Sequence, residues 1–138
     1  MHMNYFNIIN SPIIIYLMIL MHIIDDFVLQ PISLSKLKQK KWWKNECAKS
    51  NIDYQKYHFD YFAALLIHGM SWSIMVHLPL IFFYTLLSTS LMSFSIITMA
   101  LCHAFVDHMK ANVMYINLCI DQLIHILQII IIWFIITL

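Results

Sequence analysis

The chain has 138 residues, of which 62% are hydrophobic and only 11% are charged, and its formal net charge is +1. Soluble domains average about 25% charged residues, so this composition argues against a water-soluble fold and predicts one integral membrane domain over residues 1–138. The near-neutral charge gives no indication of a nucleic-acid partner. Cys47, Cys102 and Cys119 lack the paired spacing of a disulfide framework or a zinc ribbon.

Four apolar segments are long enough to cross a bilayer, which takes about 20 residues. In chain order they cover approximately residues 11–30, 61–87, 92–110 and 117–138. Pro31 follows the first segment and is typical of a helix end. Pro79 lies inside the second segment, where membrane helices tolerate proline. The sequence therefore predicts an all-α fold, a four-helix bundle embedded in the membrane.

A polar loop over residues 33–60 joins the first two segments and sets the predicted orientation. Seven of the eight lysines lie between Lys36 and Lys56, and basic loops favour the cytoplasmic side of a membrane. The turn around Lys110 lies on the same side, whereas the short turn at residues 88–90 carries no charge and is predicted to be outside. Both termini are then also outside, in a multi-pass protein of the cell membrane.

The same loop is expected to contain a short amphipathic helix. Trp42 and Trp43 lie among lysines there, a pattern found in nucleic-acid and lipid-recognition patches. Tryptophan also anchors helices at the headgroup level, and lysine binds anionic lipid. We favour the anchor, with the lipid bilayer as the partner and no nucleic acid.

Histidine and aspartate recur at a spacing of four residues inside the apolar segments. The pairs are His22 with Asp26, His103 with Asp107, and Asp121 with His125. Residues at i and i+4 share a helix face, and ionisable residues inside membrane segments indicate functional sites by default. The predicted orientation places all three pairs in the cytoplasmic half, together with His68, Lys110 and Gln122. We therefore predict one shared site built from four helices.

Each polar residue also has a purely structural interpretation. A lone histidine in a membrane helix commonly makes one interhelical hydrogen bond, and we favour this for His77. Asp25 lies off the face of His22 and Asp26 and is expected to be exposed. Three carboxylates and four imidazoles at one depth are harder to explain in this way, because buried charges need a cation or a proton network.

A divalent metal ion is the more specific explanation. Imidazole and carboxylate groups suit Zn, Mn or Fe, and the expected ligands are His22, Asp26, His103, Asp107, Asp121 and His125. His68 is expected to be a further ligand or a general base. Lys110 and Gln122 are expected to face the substrate. Such an ion would activate water, so one hypothesis is a metal-dependent hydrolase of a membrane-borne substrate.

The order of these motifs resembles the DUF3307 family, small multi-span proteins of bacteria and phages. The resemblance rests on H22-x-x-x-D26-F27-x-x-Q30, K38-Q-K-K-W-W43, L66-x-H68, H103-x-x-x-D107-x-x-K110 and D121-Q122-x-x-H125. It implies a four-helix membrane fold and a polar motif set, and it supplies no function. Many members carry a second histidine one turn after the position of His68, where this chain has Trp72.

The sequence is also compatible with two other classes of function. Proton- or ion-coupled transport also uses chains of histidine and aspartate, and four short helices would then be expected to form a homo-oligomer. A non-catalytic membrane scaffold would instead bind a partner through the loop of residues 33–60. Its polar residues would then only fix the register of the helices.

Overall fold

The computed structural model describes residues 12–83 and 89–137 of the chain. These residues form helices and short connections with no strand, which confirms the all-α prediction. The helices are α1 (Pro12–Ile23), α2 (Ile32–Leu37), α3 (Lys40–Lys49), α4 (Asp60–Phe83), α5 (Thr89–His108) and α6 (Leu118–Thr137). A first π-turn, Ile24–Leu29, extends α1, and a second π-turn, Met109–Val113, extends α5.

Four of these helices, α1, α4, α5 and α6 with their extensions, are long and apolar enough to cross a membrane. Such segments remain helical in lipid because every backbone polar group must be paired internally. The chain is on this ground a membrane protein, whereas its orientation stays a prediction. The predicted outer turn at residues 88–90 is partly wrong, because Thr89 and Ser90 already belong to α5. Residues 1–11, 84–88 and 138 lie outside the described ranges, and so does the predicted end of the second segment.

Close packing of α4 against α5 frames the structure. A Cβ atom at Gly69 would lie 2.5 Å from the carbonyl oxygen of Ala100 and 3.3 Å from Ala104 Cβ. Glycine at this position therefore allows the two backbones to approach, as small residues do between membrane helices. Helix α1 also packs against α4, and α6 packs against both α1 and α5.

Apolar and polar side chains occupy different levels of the interior. The apolar core is formed by Ile14, Met18, Trp72, Val76, Leu80, Met99, Ile129, Ile132 and Ile136. Trp72 lies at its border, and the buried aspartates and the histidines other than His77 lie beyond it. Large apolar side chains such as Phe82, Phe94 and Phe105 are exposed, as expected for a surface that contacts lipid.

The loop of residues 33–60 contains two short α-helices, α2 and α3, and a 3₁₀ helix, Tyr54–Tyr57, where the sequence predicted one short helix. Asn112 fixes them to the second π-turn: its Oδ1 accepts from the Lys40 backbone N–H at 2.7 Å, and its Nδ2 donates to the Lys38 carbonyl at 3.0 Å. The Trp43 indole donates to the Leu37 carbonyl at 2.9 Å and stacks on Tyr57. The loop is thus attached to the end of α5.

Candidate metal centre

Ionisable side chains from all four long helices meet at one level of the structure. Asp26 comes from the first π-turn, His68 from α4, His103 and Asp107 from α5, and His125 from α6. Potential ligand atoms form two groups, Asp26–His68–His103 and His103–Asp107–His125, each within 4.8 Å. The groups share His103, so they form one cluster, which we call the His/Asp cluster.

Asp107 lies at the centre of this cluster. Its Oδ2 atom is 3.6 Å from His68 Nε2 and 3.9 Å from His103 Nε2. Its Oδ1 atom is 3.7 Å from His125 Nε2. One carboxylate thus lies close to the Nε2 atoms of three imidazoles on three helices, a set of donors that suits a divalent transition metal.

His125 is held in an orientation suitable for a ligand. Its Nδ1 lies 3.0 Å from Gln128 Oε1 one turn later on α6, so this nitrogen carries the proton and donates. Its Nε2 faces two aspartates, Asp107 at 3.7 Å and Asp121 at 3.5 Å, so it would either bind a cation between them or carry a second proton. A hydrogen bond to the distal nitrogen commonly fixes the tautomer of a metal-bound histidine.

His103 is fully buried, and neither of its ring nitrogens forms a hydrogen bond within the described residues. Its ring packs against Trp72, at a centroid distance of 4.3 Å, and against His125, at 4.0 Å, and the last two rings are 5.5 Å apart. Buried polar atoms without partners are costly and rare. The rings hold this imidazole rigidly while leaving its nitrogens available.

His68 is positioned by the two adjacent aspartates of the first π-turn. Its Nε2 lies 3.3 Å from Asp26 Oδ1, and its Nδ1 lies 3.7 Å from Asp25 Oδ2. Ser71 donates to Asp25 Oδ1 at 2.8 Å. The expectation that Asp25 is exposed was wrong, since it is only 3% exposed. Helix α1 and its extension contact neighbours on two sides, α4 and α6, so both aspartates face protein.

His22 has a different role from the predicted ligand. Trp72 Nε1 donates to its Nδ1 at 2.7 Å, so its Nε2 carries the proton and donates to Gln122 Oε1 at 3.1 Å. Both nitrogens are occupied, and none is left for a metal ion in this arrangement. Gln122 Nε2 in turn donates to Asp26 at 3.3 Å and Asp121 at 3.2 Å. His22 and Gln122 therefore orient carboxylates of the site.

Two lysines reach the carboxylates from the cytoplasmic loops of the predicted orientation. Lys110 Nζ lies 2.6 Å from Asp121 Oδ2. Lys38 Nζ lies 2.5 Å from Asp107 Oδ2, and Lys38 is only 7% exposed. Sequence reasoning missed Lys38, because nothing in its local sequence separates it from the other lysines of its loop.

The carboxylates of the site outnumber its lysines. Asp25, Asp26, Asp107 and Asp121 contribute four negative charges, and Lys38 and Lys110 contribute two positive charges. Counted with every carboxylate ionised and every imidazole neutral, the site has an excess of two negative charges, which protonation of its histidines would reduce. Buried charge without compensation is strongly unfavourable. A single divalent cation would balance the site.

A cavity of about 380 Å³ opens beside the cluster. Asp26, Asp107, Lys38, Lys110 and Gln122 line its polar wall, and Phe27 and Leu118 are among its apolar residues. The predicted substrate-side residues Lys110 and Gln122 therefore do face a cavity next to the cluster. His68 lies deeper, almost fully buried against the carboxylates.

His77 lies apart from this site and is fully hydrogen-bonded. Its Nδ1 donates to the Ser73 carbonyl at 2.7 Å, and its Nε2 pairs with the Ser95 hydroxyl at 2.7 Å. The structural interpretation favoured for His77 is thus confirmed. His103 differs from His77, because neither of its ring nitrogens has a hydrogen-bond partner within the described residues.

Comparison of the chain with protein-family models, curated proteins and solved structures gave no match. The resemblance to the DUF3307 family accordingly stays a prediction that rests on the order of the motifs. Trp72, at the position where many members have histidine, covers His103 and donates to His22 in this chain.

Proposed function

We propose that the protein binds one divalent metal ion at the His/Asp cluster and uses it to hydrolyse a membrane-borne substrate. The observation that supports this best is the combination of unpartnered ligand atoms with excess negative charge. The unpartnered atoms include Asp26 Oδ1, Asp121 Oδ1, His125 Nε2 and both nitrogens of His103. A cation would satisfy the two carboxylate oxygens, His125 Nε2 and one nitrogen of His103, while the other His103 nitrogen carries the ring proton.

His103, Asp107 and His125 form the more enclosed group, because all three are buried. These three residues would bind the ion. His68 and Asp26, which form the second group with His103, would lie next to it. Asp121 and His22 would support these ligands. Imidazole with carboxylate is compatible with Zn, Mn or Fe, and we propose one of these without choosing between them.

A bound divalent ion would polarise a water molecule or a substrate oxygen. The adjoining cavity contains Lys110, Lys38 and Gln122, whose donors suit an anionic or carbonyl-bearing substrate. If His68 does not bind the ion, its Nε2, close to Asp26 and Asp107, would act as the general base. These features support a hydrolase more than a site that only stores a metal.

The other half of the interior argues against transport as the main activity. The apolar core packs there, and His77 is already paired with Ser73 and Ser95. A transport path needs polar groups along its length. The cluster instead lies beside a cavity, which we place at the cytoplasmic face because the lysine-rich loop adjoins it.

Metal analysis of the purified full chain tests the proposal. We expect about one equivalent of a divalent metal in the wild type, bound at pH 7 after extensive dialysis. His103→Gln should lose the metal. His77→Gln is the matched control, since it also removes a buried imidazole and should keep the metal.

Two results would contradict the metal site. One is sub-stoichiometric metal in the wild type that cannot be raised by adding Zn, Mn or Fe. The other is equal retention of metal in the His103→Gln and wild-type proteins. Metal binding without hydrolysis of any phosphate- or ester-bearing lipid would support the metal site and contradict the hydrolase activity.

A further inference from the structure

A second cavity, of about 430 Å³, lies between α3 and the second π-turn. Three of its lining residues are Lys40, Lys41 and Lys44, and its lining contains no acidic residue. We call it the lysine cavity. Within residues 12–83 and 89–137, none of these three lysines forms an ion pair with an aspartate or glutamate.

The lysine cavity adjoins the cavity of the His/Asp cluster. Gln39, Ala111 and Met114 line both of them. A ligand that occupied both cavities would therefore contact the three lysines at one end and Asp26 and Asp107 at the other. This continuity makes the lysine cavity a candidate subsite for one end of a substrate.

The positive charge there is placed against the preference of its helix. Lys40 and Lys41 are in the first turn of α3, and this turn contains no acidic residue. The N-terminus of a helix already carries partial positive charge, so basic residues there are unfavourable and anions are favourable. The two lysines therefore do not stabilise the helix. A bound anion would offset their unfavourable interaction with the helix N-terminus.

The walls of the cavity are held in place by defined contacts. Asn112 binds the backbone on both sides of the junction between α2 and α3, at Lys38 and Lys40. The ammonium groups of Lys40 and Lys44 lie 5.9 Å and 5.7 Å from the ring centroids of Tyr61 and Tyr54. Both ammonium groups are thus near aromatic rings rather than carboxylates.

We propose that the lysine cavity binds a phosphate group. Three lysines that line one cavity without a carboxylate suit a multiply charged anion once their flexible side chains turn inward, and lysine is a common phosphate ligand. We propose further that this phosphate belongs to the substrate that the His/Asp cluster hydrolyses, which rests on the proposed function. Phosphate binding itself requires no metal.

The test uses the purified full chain with two probes. Phosphatidic acid in phosphatidylcholine nanodiscs represents a lipid phosphate, and inorganic pyrophosphate represents a soluble one. Lys41→Gln/Lys44→Gln should weaken binding of at least one probe by about tenfold or more, because hydrogen bonds to charged groups are strong enough for that factor. Lys49→Gln/Lys56→Gln removes the same charge from the same loop outside the cavity and should change the affinity by less than about twofold.

The pattern of results separates the possible outcomes. Binding of phosphatidic acid alone supports a lipid headgroup, and binding of pyrophosphate supports a soluble phosphate. Equal weakening by both double variants would overturn the proposal in favour of diffuse attraction to anionic surfaces. Failure of both probes to bind at millimolar concentration would overturn it as well. Metal content measured on the same samples shows separately whether the metal site holds, so phosphate binding without metal overturns only the proposed function.

Discussion

Asparagine in place of Asp107 removes the negative charge at the centre of the cluster and preserves the shape of the side chain. Asp107 Oδ2 lies 2.5 Å from Lys38 Nζ, with side-chain exposures of only 6% and 9%. Lys38 would then lose its charged partner and keep only neutral oxygen acceptors, such as Gln30 Oε1 at 3.4 Å. Loss of one partner of a buried ion pair costs about 3–5 kcal/mol, and we expect Asp107→Asn to lower the free energy of unfolding by this amount.

The same substitution should also weaken metal binding. Asp107 lies within 3.9 Å of Nε2 atoms from three histidines, so the proposed ion would lose a charged ligand. Loss of a supporting outer partner alone costs about 10–100-fold in affinity. We expect Asp107→Asn to exceed this range.

A double variant separates the two effects. Lys38→Met/Asp107→Asn removes both charges, and a buried ion pair can usually be replaced by neutral groups with little loss. Stability should return to within about 1 kcal/mol of the wild type, whereas metal affinity should stay low. The measurements are denaturant unfolding in detergent and calorimetric metal titration. Wild-type metal affinity in the double variant would refute the role of Asp107 as a ligand, and unchanged stability in the single variant would refute the buried pair.

Three further predictions test the packing and the site. Gly69→Ala should destabilise the protein by about 1–3 kcal/mol, because its Cβ would lie 2.5 Å from the Ala100 carbonyl; an unchanged melting temperature would contradict this close approach. His77→Leu should cost about 1–2 kcal/mol through its lost bonds to Ser73 and Ser95, while metal content stays at the wild-type level. Free metal at 100 times its Kd should stabilise the wild type by about 2.7 kcal/mol, and a chelator should reverse this; a melting temperature indifferent to chelator and metal would contradict a bound ion.

Local sequence was sufficient for the helices and for the pairing of histidine with aspartate along each helix. Spans of about 20 apolar residues must be helical in lipid, and a spacing of four residues places two side chains on one face. Accordingly His22 lies 3.6 Å from Asp26, and Asp121 lies 3.5 Å from His125. These are properties of the helix and need no information about its neighbours.

Contacts between helices decided which of these residues can act as ligands. Trp72 occupies Nδ1 of His22 from a position 50 residues away, and Lys38 reaches Asp107 from a position 69 residues away. The π-turn after α1, whose angular spacing differs from that of an α-helix, contains Asp25, which packs against α4. Such partners depend on which helix faces are packed together, and a pattern of period 3.6 cannot specify them. Sequence alone therefore determined at which positions polar side chains occur along the helices. Tertiary packing decided which of these side chains keep atoms without a hydrogen-bond partner and which carboxylates are paired with lysine.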